Sequence, residues 1–178
     1  MALYPKLASL VSGASGAAAA TTFDQQVVPY LVQVWLDDYT QASASNDIVE
    51  TTTDGFSYLF DVQRGRLIAA WGISRGRHSG ARDKARMAGH PLSNGALYHR
   101  GHAIPHTLGG PTDINLVPQL GAVNIGPFRA LERQVVATPG ALYFTYWLYG
   151  GANSQTPSGV EQGLLVPGAA PDIRRHAN

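Results

Sequence analysis

The chain has 178 residues, 44% of them hydrophobic, enough to bury one core, so a single domain is expected. It has no cysteine, which excludes disulfide frameworks and thiolate zinc sites and leaves any metal to oxygen or imidazole ligands. The net charge of +1 hides an asymmetry: residues 1–63 set Lys6 against seven carboxylates (net −6), whereas residues 64–102 set eight Arg and Lys against Asp83 (net +7). A polyanion could meet the second block while the first stays clear of it, although two solvated faces of opposite sign fit the same pattern. No run of 18 apolar residues is present, which argues against a membrane span.

The N-terminal stretch "MALYPKLASLVSGASGAAAATTF" has the outline of a signal peptide, but Ser and Gly interrupt its apolar run, so cleavage is not expected. Residues 1–22, rich in Ala, Gly and Ser from Ser12 to Thr21, read as a flexible or loosely packed segment ahead of one domain over residues 23–178. Val27, Leu31, Val34 or Trp35, and Asp38 or Tyr39 recur at helical spacing, predicting a packing helix from about Gln26 with Thr22 or Asp24 as cap and Pro29 tolerated near its start. "GFSYLFDVQRGRLIAAWGIS" predicts a β-hairpin with Gly65 in its turn. "HSGARDKARMAGH" reads as a basic loop. "NGALYHRGHAIP" and "INLVPQ" predict two further strands joined by the glycine-rich "HTLGGPTD". From Asn124 or Pro127, Phe128, Leu131 and Val135 mark one apolar face of a helix that ends at "TPG". "ALYFTYWLYG" is a strong strand with which "GLLVP" could pair. The expected fold is α+β, an antiparallel sheet with packing helices.

The polar residues between Tyr98 and Glu132 fall at suggestive places on this framework. His102 ends one strand, Asn115 lies on the next, and Asn124 and Glu132 lie eight residues apart on the helix that follows, so both could face one side of it. Phosphodiester hydrolysis needs a base for water, a cation against developing charge, and a proton for the leaving oxygen. His102 can be the base and Asn124 can offer an amide oxygen to a hard cation such as magnesium, which needs one or two protein ligands. Glu132 could then hold metal-bound water. Arg100, on the same strand face as His102, could grip phosphate oxygens in bidentate fashion. The same residues also fit a satisfied histidine, two turn or cap asparagines, and a glutamate paired with Arg129 on a solvated helix. His106 shares no helical face with His102 because Pro105 intervenes, and reads as structural or substrate-contacting. His78, His90 and His176 have no constellation around them.

"RGH" followed by "NLVPQLGAVNIGPFRALE" resembles the DNA/RNA non-specific endonucleases, a ββα-metal family with an Asp-Arg-Gly-His strand end, then Asn-x-x-Pro-Gln, then Asn and Glu. Arg100, Gly101 and His102 match the first element; Asn115, Pro118 and Gln119 the second; Asn124 and Glu132 the last two. The GR-containing hairpin upstream and "LGG" resemble the family's bacterial toxin branch. The resemblance, which runs from about Tyr58 to Val136, implies a ββα-metal nuclease core at about residues 96–138. It implies His102 as general base, Asn124 as direct ligand of Mg2+ (or Mn2+), Glu132 as organiser of metal water, Asn115 as support and Arg100 as a phosphate contact. It further implies a sequence-nonspecific endonuclease acting on DNA, with RNA left open, whose phosphates would also meet Arg75, Arg77, Arg82 and Arg86. A toxin of this kind implies a cognate immunity protein and secretion or delivery into a target cell, without a membrane partner.

Two departures stand out. His99 occupies the position of the family Asp, and Val136 stands where some members carry Arg, so that Arg133 or one of Arg75, Arg77, Arg82 and Arg86 would supply a second phosphate contact. The missing Asp also supports a rival reading: a catalytically degenerate nucleic-acid-binding protein of the same fold.

Overall fold

A computed structural model describes residues 2–81, 85, 87–88 and 95–178. Six antiparallel strands form the central sheet: β1 (Ile48–Thr53), β2 (Phe56–Asp61), β3 (Arg66–Ile73), β6 (Leu142–Leu148), β7 (Gly159–Leu165) and β8 (Asp172–Ala177), in the order β1-β2-β3-β6-β7-β8. The expected hairpin is β2–β3, turning at Gly65 with φ 62°. Strands β1 and β8, too polar to read from sequence, extend the sheet at its two edges, where a strand needs only one hydrogen-bonded neighbour. Strands β4 (Tyr98–His102) and β5 (Leu116–Leu120) form a separate two-stranded sheet.

Both faces of the central sheet are covered, which accounts for the burial of successive residues Leu142 to Trp147 in β6. By alternation, Leu142, Phe144 and Tyr146 pack into one core with Trp35 and Trp71, while Tyr143 and Trp147 pack into a second with Phe128, Leu131 and Val135. Helices α1 (Leu7–Gly13) and α3 (Val28–Ser43) cover the first face, while α2 (Ala19–Thr22) buries no residue. The β4–β5 hairpin with α4 (Gly121–Ile125) and α5 (Pro127–Val136) covers the second, burying Ala103, Ile104 and Val117 there.

Helix α3 buries Leu31, Trp35, Tyr39 and Ser43 at intervals of four, as its spacing predicts. It has no side-chain cap at Thr22 or Asp24, because the chain is already helical there: a π-helical turn over Phe23–Val27 joins α2 to α3 just ahead of Pro29, whose nitrogen has no hydrogen to donate. Part of residues 2–22 joins the core. Ala2, Leu7, Val11 and Ala14 are buried in the first core, and Leu7 and Val11 stand one helical turn apart in a segment whose small residues mask the pattern. Tyr4 anchors them: its hydroxyl donates to Glu161 Oε2 at 2.6 Å and accepts from Trp35 Nε1 at 2.9 Å.

Glu161 is a fully buried carboxylate paired with Arg175 Nε at 3.0 Å. Burial pushes its carboxyl above the usual glutamate range, while the hydrogen bonds from Tyr4 and Arg175 pull the other way. Because the folded value lies above the unfolded one, the folded state holds the proton more tightly, and stability falls as pH rises from the ordinary glutamate value through the raised one. Glu161→Gln should flatten that part of the stability–pH curve, read from urea unfolding across the acid range. Tyr4→Phe, which removes a donor to a buried charge, should destabilise the chain by about 1–3 kcal/mol in the same assay.

Candidate active site

The hairpin β4–β5 pairs Arg100 with Pro118, Gly101 with Val117 and His102 with Leu116. Gly101 has to be glycine, since a Cβ there would fall 2.3 Å from Oε1 of the fully buried Gln119. In the connection, a Cβ on Gly110 would fall 1.9 Å from the Ile104 carbonyl oxygen. That tight approach is used by Asn115, which is completely buried. Its Oδ1 accepts from the Ile104 N–H at 2.6 Å, and its Nδ2 donates to the carbonyls of Ile104 at 2.7 Å and Pro111 at 2.9 Å. Asn115 therefore clamps the chain just beyond His102. It lies in the 3₁₀ turn Asp113–Asn115 ahead of β5, not on the strand itself, and its amide is spent on the backbone. A second clasp comes from Asn178, whose side chain accepts from the Leu120 N–H at 2.8 Å and donates to the Pro118 carbonyl at 2.9 Å.

Arg100, His102, His106, Asn124, Arg129 and Glu132 line one cavity of about 180 Å3. Asn124 and Glu132 reach it from two helices, not from one face of a single helix. Asn124 is in α4 and Glu132 in α5, and the chain breaks between them at Gly126 (φ −99°, ψ −112°), followed by Pro127 opening α5. A Cβ on Gly126 would lie 2.6 Å from the Ala122 carbonyl oxygen, so the break needs glycine. His102 is 8% exposed, enclosed but reachable. His99 is exposed on β4, and its Nδ1 lies 3.4 Å from Asn124 Nδ2. Glu132 also lies near the buried Tyr143 hydroxyl, whose pKa is pushed well up by burial and by the Glu132 charge.

Two neighbouring cavities extend the site. One of about 620 Å3 shares His106 and brings in Arg75, Arg77 and His78; one of about 290 Å3 shares Arg129 and Glu132 and adds Arg77 and Arg133. His78 thus has company: its ring stands 6.0 Å from His106, which is 6.3 Å from His102 and within 3.1 Å, through Nε2, of the Gly80 carbonyl. His176 instead packs against Phe128, and burial lowers its pKa. Two members of the basic block are spent elsewhere. Arg66 is buried and donates to the Tyr39 hydroxyl and to the carbonyls of Gly151 and Ser154, while Arg64 bonds the Ser43 and Ala152 carbonyls and pairs with Asp61. Arg82, Arg86 and His90 lie outside the described residues. Arg129, passed over as a substrate contact, faces the cavity; its position three residues before Glu132 on α5 was the available signal.

Among the described residues no three His, Asp or Glu side chains gather as a ligand cluster. One amide oxygen and one carboxylate beside an imidazole instead fit a hard cation that keeps most of its waters, and they suit zinc poorly. Cations from Arg100 and Arg129, a base and oxygen donors on one small cavity are the set that phosphodiester hydrolysis requires.

The family model described as DNA/RNA non-specific endonuclease matches residues 41–142, from the end of α3 to the start of β6. Among solved structures, NucA from Streptococcus agalactiae with no metal bound is similar at a TM-score of 0.50 and 14% identity, over 82% of this chain and 89% of that one. NucA with magnesium ion bound is similar at a TM-score of 0.50 and 15% identity, over 82% and 88%. These likenesses concern the fold. No curated protein matches the chain.

Asn115→Ala should destabilise the chain by about 2–4 kcal/mol, because three hydrogen bonds go and the Ile104 amide is left buried. Urea unfolding checks it, and a loss within experimental error would show that the clamp is dispensable.

Proposed function

The chain belongs to the DNA/RNA non-specific endonuclease family, and from that premise we propose a metal-dependent endonuclease, indifferent to base sequence, in which His102 activates the attacking water. DNA is the first substrate, RNA the second, and the products carry 5′-phosphates. The observation that carries the reading is the convergence of Arg100, His102, Asn124 and Glu132 from a strand and two helices on one cavity.

His102 takes the proton from water as it attacks phosphorus. Arg100 grips the non-bridging oxygens, and Arg129 faces them from α5. Asn124 would hold magnesium, or manganese, through Oδ1, with Glu132 orienting water around the ion. When bound, the cation neutralises charge on the phosphorane-like transition state and serves the leaving 3′ oxygen. NucA, which shares the fold, has been captured with magnesium ion bound, and this favours magnesium as the first candidate. Asn115 contributes indirectly, by holding the strand end on which His102 sits. Arg75 and Arg77 grip the flanking backbone in the adjoining groove; Arg82 and Arg86 complete the basic set read from sequence.

The GR-containing hairpin and the "LGG" connection favour the family's toxin branch, so the proposal extends to an antibacterial effector, delivered into a target cell and neutralised in its producer by a cognate immunity protein. His99 in place of Asp favours the degenerate binding protein as the second reading. The two part on plasmid DNA with magnesium: the wild-type chain should cleave it, and His102→Ala or Asn124→Ala should lose about 10²–10⁴ of the rate. Equal cleavage by all three would sink the site assignment, and no cleavage by any would favour the binding protein. With four phosphate contacts, from Arg75, Arg77, Arg100 and Arg129, activity below saturation should drop roughly 150-fold between 50 and 200 mM salt. A flat response would remove the groove's role.

A further inference from the structure

The most unusual member of the motif is His99, and the structure gives it a neighbour. Its Nδ1 stands 3.4 Å from Asn124 Nδ2, and its ring rests over Gly121, where a Cβ would fall 2.7 Å from Nε2. In register His99 faces Gln119 across the hairpin, and it is exposed, so its fold role is small. A carboxamide has two ends of similar shape and opposite use. The oxygen attracts a cation, while the NH2 repels one and leaves the ligand position empty. Whatever holds the nitrogen end decides which end the cavity meets.

We infer that His99 is a positioning residue for Asn124: its Nδ1 accepts from the Asn124 amide N–H and so leaves Oδ1 as the end turned to the metal. The inference rests on the proposed reading of Asn124 as metal ligand. Its chemistry needs only a lone pair at this position. A neutral imidazole protonated on Nε2 supplies one, as the family's carboxylate can, so His99 replaces the Asp without adding negative charge beside the ion. Gly121 is part of the device, because a side chain there would displace the ring. Outer residues that orient a metal ligand are worth about 10–100-fold in metal affinity, and the long contact places the expectation near the lower end.

The test is a titration of the full chain with Mn2+ alone, followed by electron paramagnetic resonance, for wild type, His99→Ala, His99→Asp and Asn124→Ala. His99→Ala should weaken Mn2+ binding about tenfold with an unchanged melting temperature. His99→Asp should restore it, since a carboxylate also accepts the amide N–H. In cleavage assays, His99→Ala should recover its kcat at high magnesium. Wild-type affinity in His99→Ala, with Asn124→Ala impaired, overturns the His99 assignment alone. Wild-type affinity in Asn124→Ala overturns the metal-ligand reading and this inference with it. Failure of His99→Asp to restore binding overturns the lone-pair argument.

Discussion

Strand β6 has no solvent face, and the molecule is organised around that constraint. Leu142, Phe144 and Tyr146 on one side and Tyr143 and Trp147 on the other must both be covered, so the sheet needs a layer on each face. Each fully buried aromatic or aliphatic side chain contributes roughly 1.5–3 kcal/mol relative to exposure, which makes either layer indispensable. The N-terminal helices supply one layer, and the β4–β5 hairpin with α4 and α5 supplies the other. The candidate site is therefore built on the core: Phe128, Leu131 and Val135 bury one face of α5 while Arg129 and Glu132 of the same helix reach the cavity.

The short elements of the site are held by backbone fit, with little help from large contact area. Glycines 101, 110, 121 and 126 each stand where a Cβ would fall under 3 Å from a neighbour: Gln119, Ile104, His99 and Ala122 respectively. They let two strands, a turn and two helices approach closely, and Asn115 satisfies the buried amide and carbonyl that such closeness strands away from water. The side chains that line the cavity of about 180 Å3 gain their fixed placement this way.

Much of this was legible in the sequence, for identifiable reasons. Strand alternation and turn chemistry disclosed β2–β3 and β6, and the apolar triplet Phe128, Leu131 and Val135 disclosed α5. The order and spacing of the motif singled out Arg100, His102, Asn124 and Glu132, which line one cavity, and Asn115, which clamps the backbone beside it, because motif spacing survives whatever path the chain takes between its members. What escaped depends on tertiary context. Helical counting cannot see that Gly126 divides α4 from α5. Composition cannot tell that Leu7 and Val11 bury themselves in the core, or that the Arg66 guanidinium spends its donors on hydroxyl and carbonyl oxygens inside the fold. Charge counting treated Arg64 and Arg66 like Arg75 and Arg77, yet only burial separates the two pairs.

The clasp made by Asn178 bears on the order in which the molecule can be completed. Its carboxamide holds the backbone of β5 at Leu120 and Pro118, and its own N–H is held by the Ser158 carbonyl. On the ribosome, the strands and helices up to β6 can collapse while this residue is still to come. The strand that lies against Arg100 and His102 then waits, its outer amide and carbonyl turned to water, until residue 178 has been translated. Closing of the candidate site thus waits on a contact whose two partners are 58 residues apart in the chain.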